Sequence, residues 1–439
     1  MLNVFATQSA ADSGERLLNG YLRASAGKGA QAVILGRAGL VSSHQFGGPV
    51  RAFTVHKGSL YAVANGALWQ LVSGTWTSKA VVPDGVTRIA SGSGQIAIVV
   101  GGDYYVYNST AETIAATTPG ALTACVDVIH ISGYFIVLGT HSGRDDGYIY
   151  SALDDATTFD ALDFAFAEGE EDRLVGAIVD HLYVWLFGSK TTEKLYIGSA
   201  GPTPDQSAIL EHGCADNRTI AKADNRVFWV DERRKVEAGS GATAQVISPR
   251  WVDDILASAT ITGGFVFNER GAQFYCVTLS GRPALVYDIT TGLWHERSDG
   301  VEKAAWTAGV AEWFDGQQYI GTTGGNVCTP TEGVYADAGT VFEFEAVSDP
   351  NVEADPIVVR RLQIITDGGQ EDIGRAPQIM MQVSKDGVTW GRERWRNLAQ
   401  LGEYGKVAEW HALGQSRYWQ IRIRITDAVN RDIRGASYG

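Results

Sequence analysis

Between residues 50 and 320 the chain alternates short apolar runs with turns containing Gly, Asn or Asp. One unit recurs: an apolar strand, a tight turn, then an aromatic-rich strand. It runs from Val50 to Val63 around Lys57-Gly58, and again from Val86 to Val99 around Gly92-Ser-Gly94. Further copies begin near Val126, Leu174, Ile220, Ala259 and Ala304, so successive starts lie 36, 40, 48, 46, 39 and 45 residues apart. That period is the length of one four-stranded propeller blade. Inner strands of a blade are buried on both faces and should be almost continuously apolar, as Ile96–Val100 and Leu182–Phe187 are. No helical periodicity of 12 or more residues stands out between 45 and 330. Two sandwiches would supply a similar number of strands but not so regular a spacing.

After Pro330 the pattern lengthens. Ile357–Thr366, Gln378–Ser384 and Tyr418–Thr426 read as longer alternating strands, the last setting Ile421, Ile423 and Ile425 against Arg422 and Arg424. The fold expected is all-β: a β-propeller of six or seven blades over 46–335, then an antiparallel β-sandwich-like collar or platform over 336–439. Residues 1–45 either close the ring or pack on the C-terminal domain.

Composition sharpens this picture. Glycine numbers 52 of 439 and proline 11, which favours many tight turns over a disordered or polyproline-rich chain. The net charge of −14 argues against a generic nucleic-acid binder, which needs Lys and Arg to neutralise phosphates. It leaves room for DNA sliding past a repelling wall. Charge is unevenly spread: from Arg392 to Arg434 nine basic residues face five acidic ones, so the rest of the chain carries −18. Arg392, Arg394, Arg396, Arg417, Arg422 and Arg424 are therefore candidates for a subunit or adaptor interface. Asp154, Asp155, Asp160, Asp163, Glu168, Glu170, Glu171 and Asp172 form the densest acidic stretch, interleaved with Phe159, Leu162, Phe164 and Phe166. They are candidates for an extension facing a lumen, a DNA end or a fibre.

Catalytic patterns are missing. The eight histidines are dispersed without HExxH spacing, and the four cysteines form no CxxC pair, so they read as buried free thiols. His141–Gly147 reads as a hairpin turn, Gly188-Ser-Lys-Thr191 fails as a phosphate loop, and Gly92–Ala97 lacks the helix a dinucleotide fingerprint requires. Ser384-Lys-Asp-Gly-Val-Thr-Trp390 approximates the Asp-box hairpin, in which Asp caps the turn and Trp packs beneath. No enzyme activity, cofactor or metal is expected. Met1–Leu18 does not read as a signal peptide and no apolar run reaches the ~20 residues that span a bilayer, so a soluble protein without membrane insertion is expected.

Several elements, taken in order, carry a resemblance. Arg16-Leu-Leu-Asn-Gly-Tyr21 and Leu35-Gly-Arg-Ala-Gly-Leu40 open it, with Leu22-Arg23 standing where Pro-Glu is the usual pair. Phe274–Leu279, Tyr287-Asp-Ile-Thr-Thr-Gly-Leu-Trp-His-Glu296, Pro377, the Ser384–Trp390 turn, Leu401-Gly-Glu-Tyr404, Trp410-His-Ala-Leu-Gly414, Arg417 and Ile421–Ile425 follow. The chain resembles the packaged-DNA stabilisation, or tail nozzle, proteins of short-tailed phages. The resemblance implies a ring of identical subunits, usually six, beneath the head-to-tail adaptor in the virion tail, assembled in the host cytoplasm. It implies as partners the adaptor, tail fibres or tailspikes, a tail needle or plug, and double-stranded DNA in non-specific passage. A carbohydrate-binding or glycoside-active propeller is the second reading; it would need carboxylates converging from several blades, whereas here they cluster in one stretch.

Overall fold

The computed structural model describes residues 16–24, 32–167, 172–198, 201–205 and 209–439. Its propeller hairpins turn on pairs in which both residues have positive φ, such as Asn65 (46°) with Gly66 (73°) and Asp315 (48°) with Gly316 (75°). This is the type I′ geometry whose twist matches that of paired strands, and it accounts for much of the glycine excess. The hairpins build four-stranded sheets over Val50–Val81 (blade 1), Thr87–Thr117 (blade 2), Leu122–Phe166 (blade 3), Leu174–Pro204 (blade 4) and Ala221–Val246 (blade 5). A sixth free-standing sheet joins Ala308–Phe314, Gln317–Thr322 and Asn326–Thr331 to Gly39–Gln45 from the N-terminal region (blade 7). Between blades 5 and 7 lies a further four-strand unit, Ile261–Asp299 (blade 6), continuous with the C-terminal sheet.

Each adjacent pair of blades encloses its own apolar core. Ile96 and Ile98 pack between blades 1 and 2, Val137 and Ile149 between 2 and 3, Leu138 and Leu186 between 3 and 4, Trp185 and Trp229 between 4 and 5. Phe228 and Tyr275 fill the 5–6 interface, Phe267 and Trp306 the 6–7 interface, and Phe53, Trp76 and Val327 the 7–1 interface. Seven such cores close the ring. The closing seam is non-covalent: Gly39–Gln45 pairs antiparallel with Asn326–Thr331, so strands nearly 290 residues apart complete one blade. The helix Arg250–Ser258 lies between blades 5 and 6 and buries Val252 and Leu256 in their shared core. Its nine residues fall below the length at which periodicity alone is informative.

The C-terminal domain is a sandwich built on one bent strand, Val407–Ile425. Its first part pairs with Asn351–Thr366 and its last part with Gln378–Ser384 and Phe344–Val347. Ala412 and Gly414, both at positive φ, sit at a register shift within the pairing to Asn351–Thr366, and the strand changes partners only beyond Trp419. Leu362, Ile364, Trp410, Ile421, Ile423 and Ile425 meet Ile379 and Met381 in the core between the two layers. The N-terminal strands Gly20–Ala24 and Ala32–Gly36 extend one layer. Arg16–Leu18 extends the other, pairing antiparallel with Phe344–Val347 and parallel with Leu293–Asp299 of blade 6. One sheet therefore runs from sandwich into propeller.

Candidate functional site

A buried polar network lies at that shared sheet. Asn19, in left-handed conformation at φ 58°, turns the chain between two N-terminal strands. Its amide donates to the Glu343 carbonyl (2.7 Å) and Ser298 Oγ (3.0 Å), and its carbonyl accepts from Ser298 N (2.9 Å) and Arg37 Nε (2.8 Å). Arg37 is completely buried and holds Asp337 with both terminal nitrogens (2.8 and 2.6 Å). Its guanidinium also covers the Phe342 ring at 3.4 Å. Asp299 lies beside that pair. Burial first, and then the Asp337 carboxylate, push its pKa up to about 6. Asp337 is held below its ordinary value against the effect of its burial because Arg37 faces it. On the other side Asp432 of the sandwich accepts Gly36 N (2.9 Å) and both terminal nitrogens of Arg270 in blade 6 (3.1 and 3.0 Å). Arg297 pairs with Glu269 at 2.7 Å with both side chains buried.

A second layer of charge lines the seam. Buried Glu343 and Glu345 meet Lys303 at 3.1 and 2.7 Å, while Arg16 grips Glu296. Arg422 lies 3.7 Å from Glu345 and covers the Trp390 ring at 3.9 Å, and Arg424 reaches Glu343 (3.7 Å) and Glu393. Burial lowers the pKa of Arg422. Elements hundreds of residues apart thus meet at one place: Arg16–Tyr21, Leu35–Leu40 and the His295-Glu296 end of blade 6 interlock with the sandwich. Arg37 lies within the Leu35–Leu40 element of the resemblance, whereas no motif pattern flags Asp299, Asp337 or Glu343. The nearest signal is the alternation Phe342-Glu-Phe-Glu-Ala346, which places acids on one side of a strand.

The sequence candidates are distributed as follows. Arg422 and Arg424 are occupied within the chain, as above. Arg394 and Arg396 donate to the carbonyls of His411 (3.2 Å) and Glu409 (2.7 Å), lacing the edge strand Arg394–Asn397 to the other layer. Arg392 and Arg417 are exposed. The Asp-box-like turn folds as its residues require: Asp386 accepts from the Thr389 hydroxyl, Thr389 N (2.7 Å) and Val388 N (2.9 Å), contacts that lower its pKa, and Gly387 has φ 77°.

In the acidic stretch, Asp154 accepts from Ser93 of blade 2 and Asp155 from Gln95, Thr157 and Thr158. The donors outweigh burial and bring the Asp155 pKa to about 2. Asp160 caps Leu162 N (2.9 Å), and the Asp163 carbonyl accepts Tyr150 N (3.0 Å). Asp172 is buried and accepts three backbone N–H groups of the Ser189–Thr191 turn. Glu168, Glu170 and Glu171 lie outside the described residues. Phe164 and Phe166 form the outer strand of blade 3, where Phe164 stacks on His141 at 4.1 Å, and Phe159 packs edge-on against Tyr104. The four cysteines are free and buried.

Two family profiles match the chain in order: the one described as Bacteriophage P22 Gp10, beta-propeller, over residues 15–328, and Bacteriophage P22 Gp10, beta-sandwich, over 350–438. The chain belongs to the P22 Gp10 family. It is accordingly a bacteriophage structural tail protein, a virion component that assembles with other virion proteins. No curated protein sequence matches it. Similar solved structures include the computationally designed Ika8 protein (13% identity, TM-score 0.43, covering 72% of this chain and 99% of that one). BamB from Moraxella catarrhalis is similar at 11% identity and TM-score 0.42, over 74% and 97%. YCF48 from Cyanidioschyzon merolae reaches 9% and 0.44, over 66% and 98%. In this Gp10-family chain, the N-terminal and blade 6 elements of the sequence resemblance are those that lock propeller to sandwich.

Proposed function

We propose that this chain is the tail nozzle subunit: a non-enzymatic ring, six copies in the family's pattern, attached beneath the head-to-tail adaptor, retaining packaged DNA and forming the channel for its ejection. The observation that carries the reading is the ordered match of both Gp10 domains across nearly the whole chain. The shared sheet and the Arg270–Asp432 pair that join propeller to sandwich support it, since a ring subunit must transmit load between its docking end and its distal end. So does the −18 excess outside the basic segment, because every Lys or Arg facing passing DNA could grip a phosphate. The adaptor or subunit contact falls on the exposed Arg392 and Arg417, with the partly engaged Arg394 and Arg396 beside them. The carboxylates of the Asp154–Asp172 stretch that cap turns within blades 3 and 4 act there in the propeller itself rather than as a free arm to a fibre.

Particles assembled without this chain should package DNA and then lose it, and cryo-electron microscopy of complete tails should show a ring containing it. Charge reversal at Arg392 and Arg417 should weaken incorporation, more so in high salt. Particles that retain their genome without the chain would overturn the retention role, and a chain that stays monomeric and outside particles would overturn the ring.

A further inference from the structure

Away from the junction, where the connection from blade 4 meets blade 5, three ligand-type side chains converge. His212 lies in that connection; Asp231 and Glu237 flank the turn between the second and third strands of blade 5. One ligand atom from each lies within 4.8 Å of the others. Both carboxylates are fully buried and His212 is half-buried. The connection is pinned: Thr192 Oγ1 donates to the His212 carbonyl (2.6 Å), Trp229 Nε1 to the Gly213 carbonyl (3.0 Å), and Gly213 N to Glu232 (2.8 Å). Asp231 Oδ1 is committed to Lys235 N (2.7 Å), while Oδ2, on the cluster side, accepts from Arg233 Nε (2.9 Å). Glu237 Oε2 is buried without a hydrogen-bond partner.

The point of convergence is marked by a cationic nitrogen. Arg233 Nη2 stands 2.5 Å from His212 Nδ1, 2.8 Å from Asp231 Oδ2 and 3.3 Å from Glu237 Oε1. The same Nδ1 lies 3.3 Å from Glu237 Oε1, and it is in its bare form that such a nitrogen ligates a metal. Yet the guanidinium is an incomplete occupant. It brings one charge to two buried carboxylates and leaves Glu237 Oε2 unmet, and although its Nε also donates to Asp231 Oδ2 (2.9 Å), its side chain is 48% exposed.

We propose that His212, Asp231 and Glu237 form a site for a divalent transition metal, zinc being the best fit, entered as Arg233 swings outward. One imidazole nitrogen and two carboxylate oxygens are a ligand set zinc accepts at roughly 2.0–2.2 Å, with solvent in the remaining position. A charge of +2 balances both buried carboxylates. The ion then ties the blade 4 connection to blade 5 and acts as a clasp on a propeller seam.

The test is calorimetric titration of full-length, metal-free protein with zinc chloride. One saturable site per chain is expected, weakened more than about tenfold in His212→Ala and in the isosteric Glu237→Gln. It should be unchanged in His411→Ala, and tighter in Arg233→Met, which removes the competing cation. Circular dichroism of each variant checks that the fold is kept, and Co2+ absorption in the visible range gives an independent reading of the same site in the wild-type chain. Absence of saturable zinc and cobalt binding to the wild-type chain overturns the proposal. So does binding that survives both ligand substitutions, or binding seen only in Arg233→Met, which would make the arginine the permanent occupant.

Discussion

Replacing Asp299 by Asn should stabilise the protein, by an amount that depends on pH in a defined way. Asp299 ends the last strand of blade 6; its Oδ2 accepts Thr307 N at 2.9 Å, while Oδ1 has no donor and the carboxyl lies against Asp337. Its pKa of about 6 in the fold, against an ordinary 3.8, means that ionising it at neutral pH works against burial and a neighbouring negative charge. At about 1.4 kcal/mol per pH unit, the wild-type chain forfeits up to about 3 kcal/mol above pH 7. The sign follows from the raised value. The folded state holds this proton to higher pH than the unfolded chain does. The contribution is therefore fully present below pH 4 and is lost as pH rises through 6.

Asn carries no charge, its amide can donate where the protonated acid did, and its carbonyl can still accept Thr307 N. Partial water access and imperfect geometry reduce the expected gain to about 1–2 kcal/mol at pH 8, falling to nearly zero at pH 4. Urea unfolding followed by tryptophan fluorescence from pH 4 to 8 measures it, with Trp306 nearby as a local reporter. A difference between variant and wild type that is flat with pH, or a loss of stability at pH 8, would refute the reasoning.

Three further outcomes are expected. Asp127 is buried and accepts from Arg88 in blade 2 (2.8 Å), its neighbour Val128 N (2.8 Å) and Ala177 N in blade 4 (3.0 Å); Asp127→Ala should cost about 3 kcal/mol in urea unfolding, because it strands Arg88 and unties three blades. Gly39→Ala should destabilise by about 1–3 kcal/mol and expose the closing strand to limited proteolysis, since a Cβ there would meet the Ala336 and Val334 carbonyls at 2.4 and 2.7 Å; unchanged protection would show that the strand docks differently. Burial raises the thiol pKa values of Cys125, Cys214 and Cys328 to about 12 and that of Cys276 higher still, so a disulfide exchange reagent at pH 8 should find no reactive thiol in the native chain and four in urea.

The blades were legible in the linear chain because their information is local. A hairpin needs a turn pair that tolerates positive φ, as Asn65-Gly66 does, and flanking strands apolar enough to be buried on both faces, as Ile96–Val100 and Val184–Phe187 are. Both requirements are met within a dozen residues, so the repeat spacing marked the innermost strands of all seven blades. The alternation of Ile421, Ile423 and Ile425 with Arg422 and Arg424 likewise announced a two-faced strand. Long-range placement decided the rest. Whether Gly39–Gln45 closes the ring depends on a partner strand nearly 290 residues away, and no local pattern encodes it. Arg422 and Arg424 looked like a wet, partner-facing surface; the fold turns them toward Glu345, Glu343 and Trp390. The acids from Asp154 to Asp172 looked like one extension, yet the backbone of blade 3 ends within it, and Asp172 is buried as the cap of a turn in blade 4. Charged residues are ambiguous in sequence because a solvated carboxylate and a buried, paired one are the same letter. Only the tertiary structure supplies the partner, and the partner sets both the cost of burial and the role.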